Sequence, residues 1–460
     1  MKNPLLVPEI RELLAEGNFD ELREFCDAGH PGIVAEFLSA LPAEEAWEAL
    51  RHAGLERRAE VFTNLDEELQ TEIVEGLPRG EVAQLITEMP HDDRVDLIKR
   101  LPEETRDVIL PALAQAERED IRRLIAYREG SAGAVMTSDY ATLSPDLTAS
   151  EAIERLRREA PDRETIYYAY VVDQQRKLLG FVSLKDLIVA RANRRISDLM
   201  HEEVISATVD DDQERAARRI QKYDLIALPV VDANGVLVGI ITHDDAIDII
   251  TQEQTEDMEK LMAIAGAHEA SAYLRTPAWE HFRNRGYWVV GLAALGIFSG
   301  MVIHNFEDAL TQLLILALYM PMLADTGGNT GSQAATVVVR ALALGEITPR
   351  DVLRVLWKEF RIASMMALVL ATVAFCKVLF LTTWFSVDTA GFPLTTIGVC
   401  IGLALGIQVL SATLIGAMLP IGAARLNLDP AIVASPALTT AVDITGLLIY
   451  FTTARVLLGV

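Results

Sequence analysis

Hydrophobic and polar positions follow three different patterns along the 460-residue chain. In the first 130 residues, apolar positions come in short helical groups at a fixed spacing. Leu41-Pro42, Leu77-Pro78 and Leu101-Pro102 share one register, with Met89-Pro90 between the last two. Steps of twelve from position 41 also meet Ala53-Gly54 and Leu65-Asp66. A short amphipathic stretch follows each step, such as EEAWEAL, EVAQLITEM or DDRVDLIKRL. Proline is accepted at a helix start and poorly inside a helix, so each unit predicts one short helix entered at its proline. Units of this kind stack on their neighbours, which predicts an all-α superhelix over residues 1–130.

Between residues 131 and 250 a second repeat takes over. YAYVVDQQRKLLGFVSLKDLI (168–188) matches LIALPVVDANGVLVGIITHDDAI (225–247), with Asp173/Asp232, Gly180/Gly239 and Asp186/Asp245 each 59 apart. Each unit predicts an apolar strand, a polar turn, a second apolar strand and a helix opening on Asp, preceded by a helical run. The tandem resembles a CBS-domain pair, with units at 131–198 and 199–250. That resemblance implies a regulatory α+β module and an adenine nucleotide, ATP or AMP, as its ligand. Residues 251–285 then predict a connecting helix, acidic at its start and basic at Arg283 and Arg285.

The last pattern is long and apolar. Segments near 287–304, 308–340, 362–383, 394–422 and 431–458 each match about 30 Å of hydrocarbon, so residues 286–460 predict a five-helix transmembrane domain. The loop 340–361 carries Arg340, Arg350, Arg354, Lys358 and Arg361, whereas the loops near 304–309 and 384–393 carry no Lys or Arg. Positive charge stays inside, which predicts a cytoplasmic amino terminus and an outside carboxyl terminus in the cell (inner) membrane. The opening stretch is charged and helical rather than a hydrophobic signal sequence.

Charge separates the same two parts. Residues 287–460 hold 8 basic and 9 acidic residues, which leaves 33 and 57 of the totals 41 and 66 for residues 1–286. Nearly all of the net charge of −25 therefore sits on the soluble part. Such a body repels nucleic-acid phosphates and attracts cations. Acidity of this kind also serves plain solubility. Cys26, Cys376 and Cys400 form no CxxC pair and no cluster with His, so they predict unpaired thiols.

Two membrane segments carry candidate chemistry. YMPMLADTGGNTGSQAATVVV (319–339) sets Pro321, Gly327, Gly328 and Gly331 at membrane depth beside Asn329, Thr330, Ser332 and Gln333. It suggests a broken span whose carbonyls face water, lined by Gly328, Asn329, Gly331 and Gln333. The alternative is a small-residue surface for helix packing. In PALTTAVDITGLLIY (436–450), Asp443 lies within an apolar span. A carboxylate there faces water, a partner or an ion, or else it is a buried acid that fixes packing.

These segments, with GAMLPIG and LDPAIVASPALTTAVDITGLLIY, and the order superhelix, CBS pair, connecting helix and five spans, resemble the MgtE magnesium channels over essentially the whole chain. The resemblance implies a homodimer with a pore between its subunits. It implies Asp443 as the selectivity acid, joined by the carbonyls of Thr439 and Gly446. It also implies regulatory Mg²⁺ sites at Asp92, Asp96, Glu214, Asp224, Asp245, Asp248, Glu256 and Asp257. Several of these acids share helix faces, where like charges repel unless a cation relieves them; a solvated acidic face is the bland alternative. Mg²⁺ is a hard ion taking oxygen ligands, and no His/Cys set offers soft ones. The function these features imply is Mg²⁺ uptake with feedback closure by cytosolic Mg²⁺. The alternatives are a proton- or sodium-coupled divalent cation carrier and a membrane nucleotide sensor without transport. An enzyme is not expected, since no nucleophile–base set or phosphate-binding loop is present.

Overall fold

The computed structural model describes residues 3–160, 164–262, 264, 277–385, 389–426, 428–431 and 436–459. It divides into two compact units, Met1–Glu253 and Gln254–Val460.

The first unit opens with ten helices, α1 to α10, between residues 7 and 125, ending in α8 (His91–Arg100), α9 (Glu103–Ile109) and α10 (Gln115–Ile125). Their N-caps are Leu6, Asn18, His30, Pro42, Gly54, Asp66, Pro78, Pro90, Pro102 and Ala114. The twelve-residue period thus extends beyond the proline-marked units in both directions. From α2 onward each helix packs on the second one along, so one apolar face serves two neighbours. Leu38, Leu50, Phe62, Leu85 and Leu97 are wholly buried between them.

Two three-stranded sheets follow. Strand β1 (Tyr140–Leu143) is parallel to β2 (Thr165–Val172), which is antiparallel to β3 (Leu178–Ser183). In the second sheet β4 (Ala207–Thr208) is parallel to β5 (Ala227–Val231), which is antiparallel to β6 (Leu237–Thr242). The 59-residue equivalences are structural. Asp173 accepts the amides of Gln175 and Lys177 as Asp232 accepts those of Asn234 and Val236, closing the same turn. Gly180 and Gly239 admit chain that a side chain would exclude: a Cβ would lie 2.7 Å from His201 O and 2.9 Å from Thr137 O, respectively. Helices α11 (Ala149–Glu159), α12 (Leu184–Val189) and α13 (Gln213–Tyr223) complete the pair. Helix α14 (His243–Leu261) starts in the second CBS unit and runs into the predicted connecting segment, so the two are one element. Residues 263 and 265–276 of that segment lie outside the described residues.

The second unit contains α15 (Ala278–Leu295), α16 (Ile297–Asn305), α17 (Glu307–Gln312), α18 (Ile315–Ala343), α19 (Val352–Phe385), α20 (Leu394–Arg425) and α21 (Pro436–Leu458). Helix α20 is the central element and packs on α18, α19 and α21. Tyr450 is wholly buried and donates to Leu316 O at 2.9 Å, tying α21 to α18. Among the described residues, four helices are long and apolar enough to cross a membrane: Ala278–Asn305, Pro349–Leu381, Leu394–Arg425 and Leu438–Leu458. Helix α18 is 29 residues long but carries Asp325, Asn329 and Gln333, which lower its hydropathy.

One sequence expectation is overturned here. The GGNTGSQ segment is not a broken span: α18 is helical throughout, with Pro321 and all three glycines inside it. Its carbonyls are bonded along the helix rather than turned to water. The glycines serve close approach instead. A Cβ on Gly331 would lie 3.1 Å from Ala412 O, and Gly416 of α20 lies against the Gly331 carbonyl at a distance no side chain permits. Small residues let backbones meet where solvent supplies no hydrophobic drive.

Candidate functional site

The first unit collects four carboxylates. Asp92 and Asp93 sit in the first turn of α8 and Asp245 in the first turn of α14. Acids are expected there, because helix N-termini carry unsatisfied N–H groups and partial positive charge. Glu164, just before β2, joins them. Burial raises the Asp92 carboxyl well above its ordinary value, and the charges of Asp245, Asp93 and Glu164 add to it. Asp92 Oδ1 is buried with no hydrogen-bond partner. Asp93 keeps an exposed edge; desolvation, then Asp245, Asp96 and Glu164, push it up to about 7. Desolvation, then Asp245 and Asp244, push Glu164 to about 7. Burial also raises Asp245, opposed by the Thr242 hydroxyl it accepts.

His91 flanks this cluster and ties three elements together. Its Nδ1 lies 2.9 Å from Asp120 Oδ2 of α10, and its Nε2 lies 3.2 Å from Asp139 Oδ2 beside β1. The superhelix is thus pinned to the first CBS unit next to the acids.

Of the eight acids singled out from sequence, the structure brings Asp92 and Asp245 together, with Asp96 and Asp248 one turn further along their helices. Asp96 lies 3.3 Å from Lys99 Nζ. Glu214 instead pairs with Arg218 of its own helix. Asp224 closes α13 in a left-handed conformation, φ 51°. Glu256 binds Lys260 Nζ at 2.8 Å, and that ammonium also lies 2.9 Å from Asp429. Asp257 is half-buried on α14. Asp93 and Glu164 were missed. Four-residue spacing selected Asp92 with Asp96 and passed over Asp93, whose only signal was its place in a first turn. Glu164 lies in no periodic segment and had no signal.

A hard divalent cation fits this donor set: all donors are oxygens, their like charges crowd one another, and one buried oxygen lacks a partner. Among the described residues, no three His, Cys, Asp or Glu side chains converge closely enough to hold an ion as they stand.

The second unit presents Asp443 half-buried on α21, with Thr439 exposed one turn before it and Gly446 buried on the far side of the turn. Gly328 faces Thr439, a Cβ there lying 3.6 Å from Thr439 Cγ2. Gly331 is buried at the α20 crossing, close to Ala412 O. Asn329 and Gln333 are exposed and four apart, and Asp325, not singled out from sequence, continues their stripe by one turn. An exposed polar stripe on a helix at membrane depth faces water or another chain, not lipid.

Comparison with known proteins follows the same division. Residues 29–130 match the MgtE intracellular N domain, residues 132–193 and 196–252 match the CBS domain, and residues 320–453 match the MgtE divalent cation transporter model. The magnesium transporter MgtE of Thermus thermophilus is 38% identical over 456 residues, 98% of each chain. That of Bacillus subtilis is 36% identical over 335 residues, 73% of this chain and 71% of the relative. The crystal structure of the soluble part of a magnesium transporter aligns with a TM-score of 0.51 at 33% identity, covering 54% of this chain and 97% of that one. With one relative matching over 98% of both chains, the chain belongs to the MgtE family, multi-pass membrane transporters of divalent cations rather than enzymes.

Proposed function

We propose that this protein is a self-limiting Mg²⁺ channel. Two copies form a homodimer with five spans each, amino termini in the cytoplasm and carboxyl termini outside, in the cell membrane. The ion passes between the copies, past an Asp443 from each and the carbonyls of Thr439 and Gly446. The exposed stripe Asp325, Asn329 and Gln333 on α18 supports a water path on the protomer surface. Two carboxylates and several carbonyls suit Mg²⁺, which keeps much of its hydration shell and demands octahedral geometry.

The observation that carries feedback is the acidic cluster of the first unit. As long as no cation is bound, Asp92, Asp93, Glu164 and Asp245 repel one another. Rising cytosolic Mg²⁺ relieves that repulsion and favours the compact state, which closes the pore. An ion shifts such an equilibrium only through its different affinity for the two states, about 1.4 kcal/mol for each tenfold preference. Several weak sites acting together make the response steep. Asp96, Asp248, Asp224 and Asp257 belong to the same proposal, as do Glu214 and Glu256, where an ion must displace Arg218 or Lys260. An adenine nucleotide, ATP or AMP, at the CBS pair is a further input to be tested by titration.

The test is Mg²⁺ flux into proteoliposomes with the soluble domains on a known side. Flux is expected to fall as Mg²⁺ on that side rises, and Asp443→Ala is expected to abolish it while leaving the dimer intact. Flux indifferent to Mg²⁺ on that side would overturn the feedback. Wild-type flux from Asp443→Ala would remove that residue from the pore.

A further inference from the structure

Gln408 is a wholly buried amide in the middle of α20, the central helix of the membrane unit. An amide buried at such depth costs several kcal/mol unless it is bonded, so its contacts matter. Its Nε2 donates to Val442 O at 2.9 Å. Its Oε1 accepts from Ser411 Oγ at 3.4 Å. Two glycines make room for it. A Cβ on Gly327 of α18, or on Gly446 of α21, would meet Nε2 at a distance no real side chain tolerates. The amide therefore fills a slot between two helices that exists because both lack a side chain there.

The position of that slot is the point of interest. Val442 precedes Asp443, and Gly446 follows it by three residues. Gln408 bonds one end of this helical turn and packs against the other.

We propose that Gln408 is a positioning residue for cation selectivity. It fixes the turn from Val442 to Gly446 against α20, and with it the place of the Asp443 carboxylate and the Gly446 carbonyl. This inference rests on Asp443 being the pore acid. Mg²⁺ requires near-ideal octahedral geometry, whereas Ca²⁺ accepts six to eight oxygens in looser arrangements. A turn released from its clamp loses the geometry that separates the two ions.

The experiment compares Mg²⁺ and Ca²⁺ flux through wild-type protein, Gln408→Met and Asp443→Asn in proteoliposomes, with thermal unfolding of each. Methionine keeps the unbranched length of glutamine and removes the donor. Gln408→Met is expected to lower the Mg²⁺-to-Ca²⁺ flux ratio at least fivefold while its unfolding temperature stays near wild type. Wild-type selectivity in a folded Gln408→Met protein would overturn the inference and leave the amide a filler. If that variant does not fold, Gly327→Ala, whose methyl expels the amide, must show the same loss of selectivity; unchanged selectivity there overturns the inference equally. Asp443→Asn is expected to abolish flux of both ions. If it conducts like wild type, the pore-acid assignment itself falls, whatever Gln408→Met does.

Discussion

At the scale of single residues, the acids of the first unit form a proton site, and the cation proposed for them competes for the same oxygens. Asp93 and Glu164 titrate near 7 in the folded chain, against ordinary values of 3.8 and 4.5. Their folded values are raised, so the folded protein holds more protons than the unfolded chain between about pH 4 and pH 7. Stability is therefore full at the acid end of this window, falls as pH rises through 7, and is flat above. Solvent reaches both side chains, so the loss is on the order of 1 kcal/mol rather than the full shift. Divalent binding at the proposed site would displace the same protons and have the opposite dependence. Thermal unfolding without Mg²⁺ is expected at lower temperature at pH 8 than at pH 5, and the stabilisation by saturating Mg²⁺ is expected to be larger at pH 8 than at pH 6. The double variant Asp93→Asn, Glu164→Gln should flatten both trends. A metal effect independent of pH, or trends unchanged in the double variant, would remove these two residues from the site. Neither residue was found from sequence, because spacing within one helix says nothing of what another helix N-terminus brings beside it.

At the scale of elements, legibility depended on whether the governing interaction was local. Proline's exclusion from a helix interior is a local rule, and Pro42, Pro78, Pro90 and Pro102 stand at their N-caps, just before the first helical residue. The turns at Asp173 and Asp232 are local too. In α18 the glycines were ambiguous, because the partner that decides their role, Gly416 on α20, is far away in sequence. Helix α20 offers a direct comparison. A Cβ at Gly416 would collide with the Gly331 carbonyl, whereas one at Gly422 would meet nothing within 4 Å. Gly416→Ala is expected to destabilise the membrane unit by about 1–3 kcal/mol through overpacking. Gly422→Ala is expected to be neutral or to stabilise by roughly 0.5–1 kcal/mol, by removing backbone freedom from a helix interior. Unfolding of the detergent-solubilised protein by denaturant separates the two. Equal effects would mean that the α18–α20 crossing is looser than its backbone contact implies.

At the scale of the whole molecule, two units with opposite chemistry share one chain. The acidic one carries nearly all of the net charge, and the near-neutral one carries the region that matches the divalent cation transporter model. In the second unit many large apolar side chains point outward, such as Leu368 at 72% exposure and Val369 at 61% on α19. Lipid explains that surface. It does not explain Asp325, Asn329 and Gln333, exposed on α18 in the same unit, because lipid provides no partner for a carboxylate or an amide. The composition of α18 revealed polar groups at this depth; which way they face depends on α20 and α21, which cover its glycine side. Single cysteines test the difference in a background where Cys26, Cys376 and Cys400 are replaced. Asn329→Cys and Gln333→Cys in proteoliposomes are expected to react with a small, charged, water-soluble thiol reagent at least tenfold faster than Leu368→Cys, and Mg²⁺ is expected to slow that reaction. Both rates matter, because access without Mg²⁺ protection would describe a wet crevice beside the route. Equal, slow labelling at all three positions would place the polar stripe against another protein surface, and the path past Asp443 would then have to run along a different face of α21.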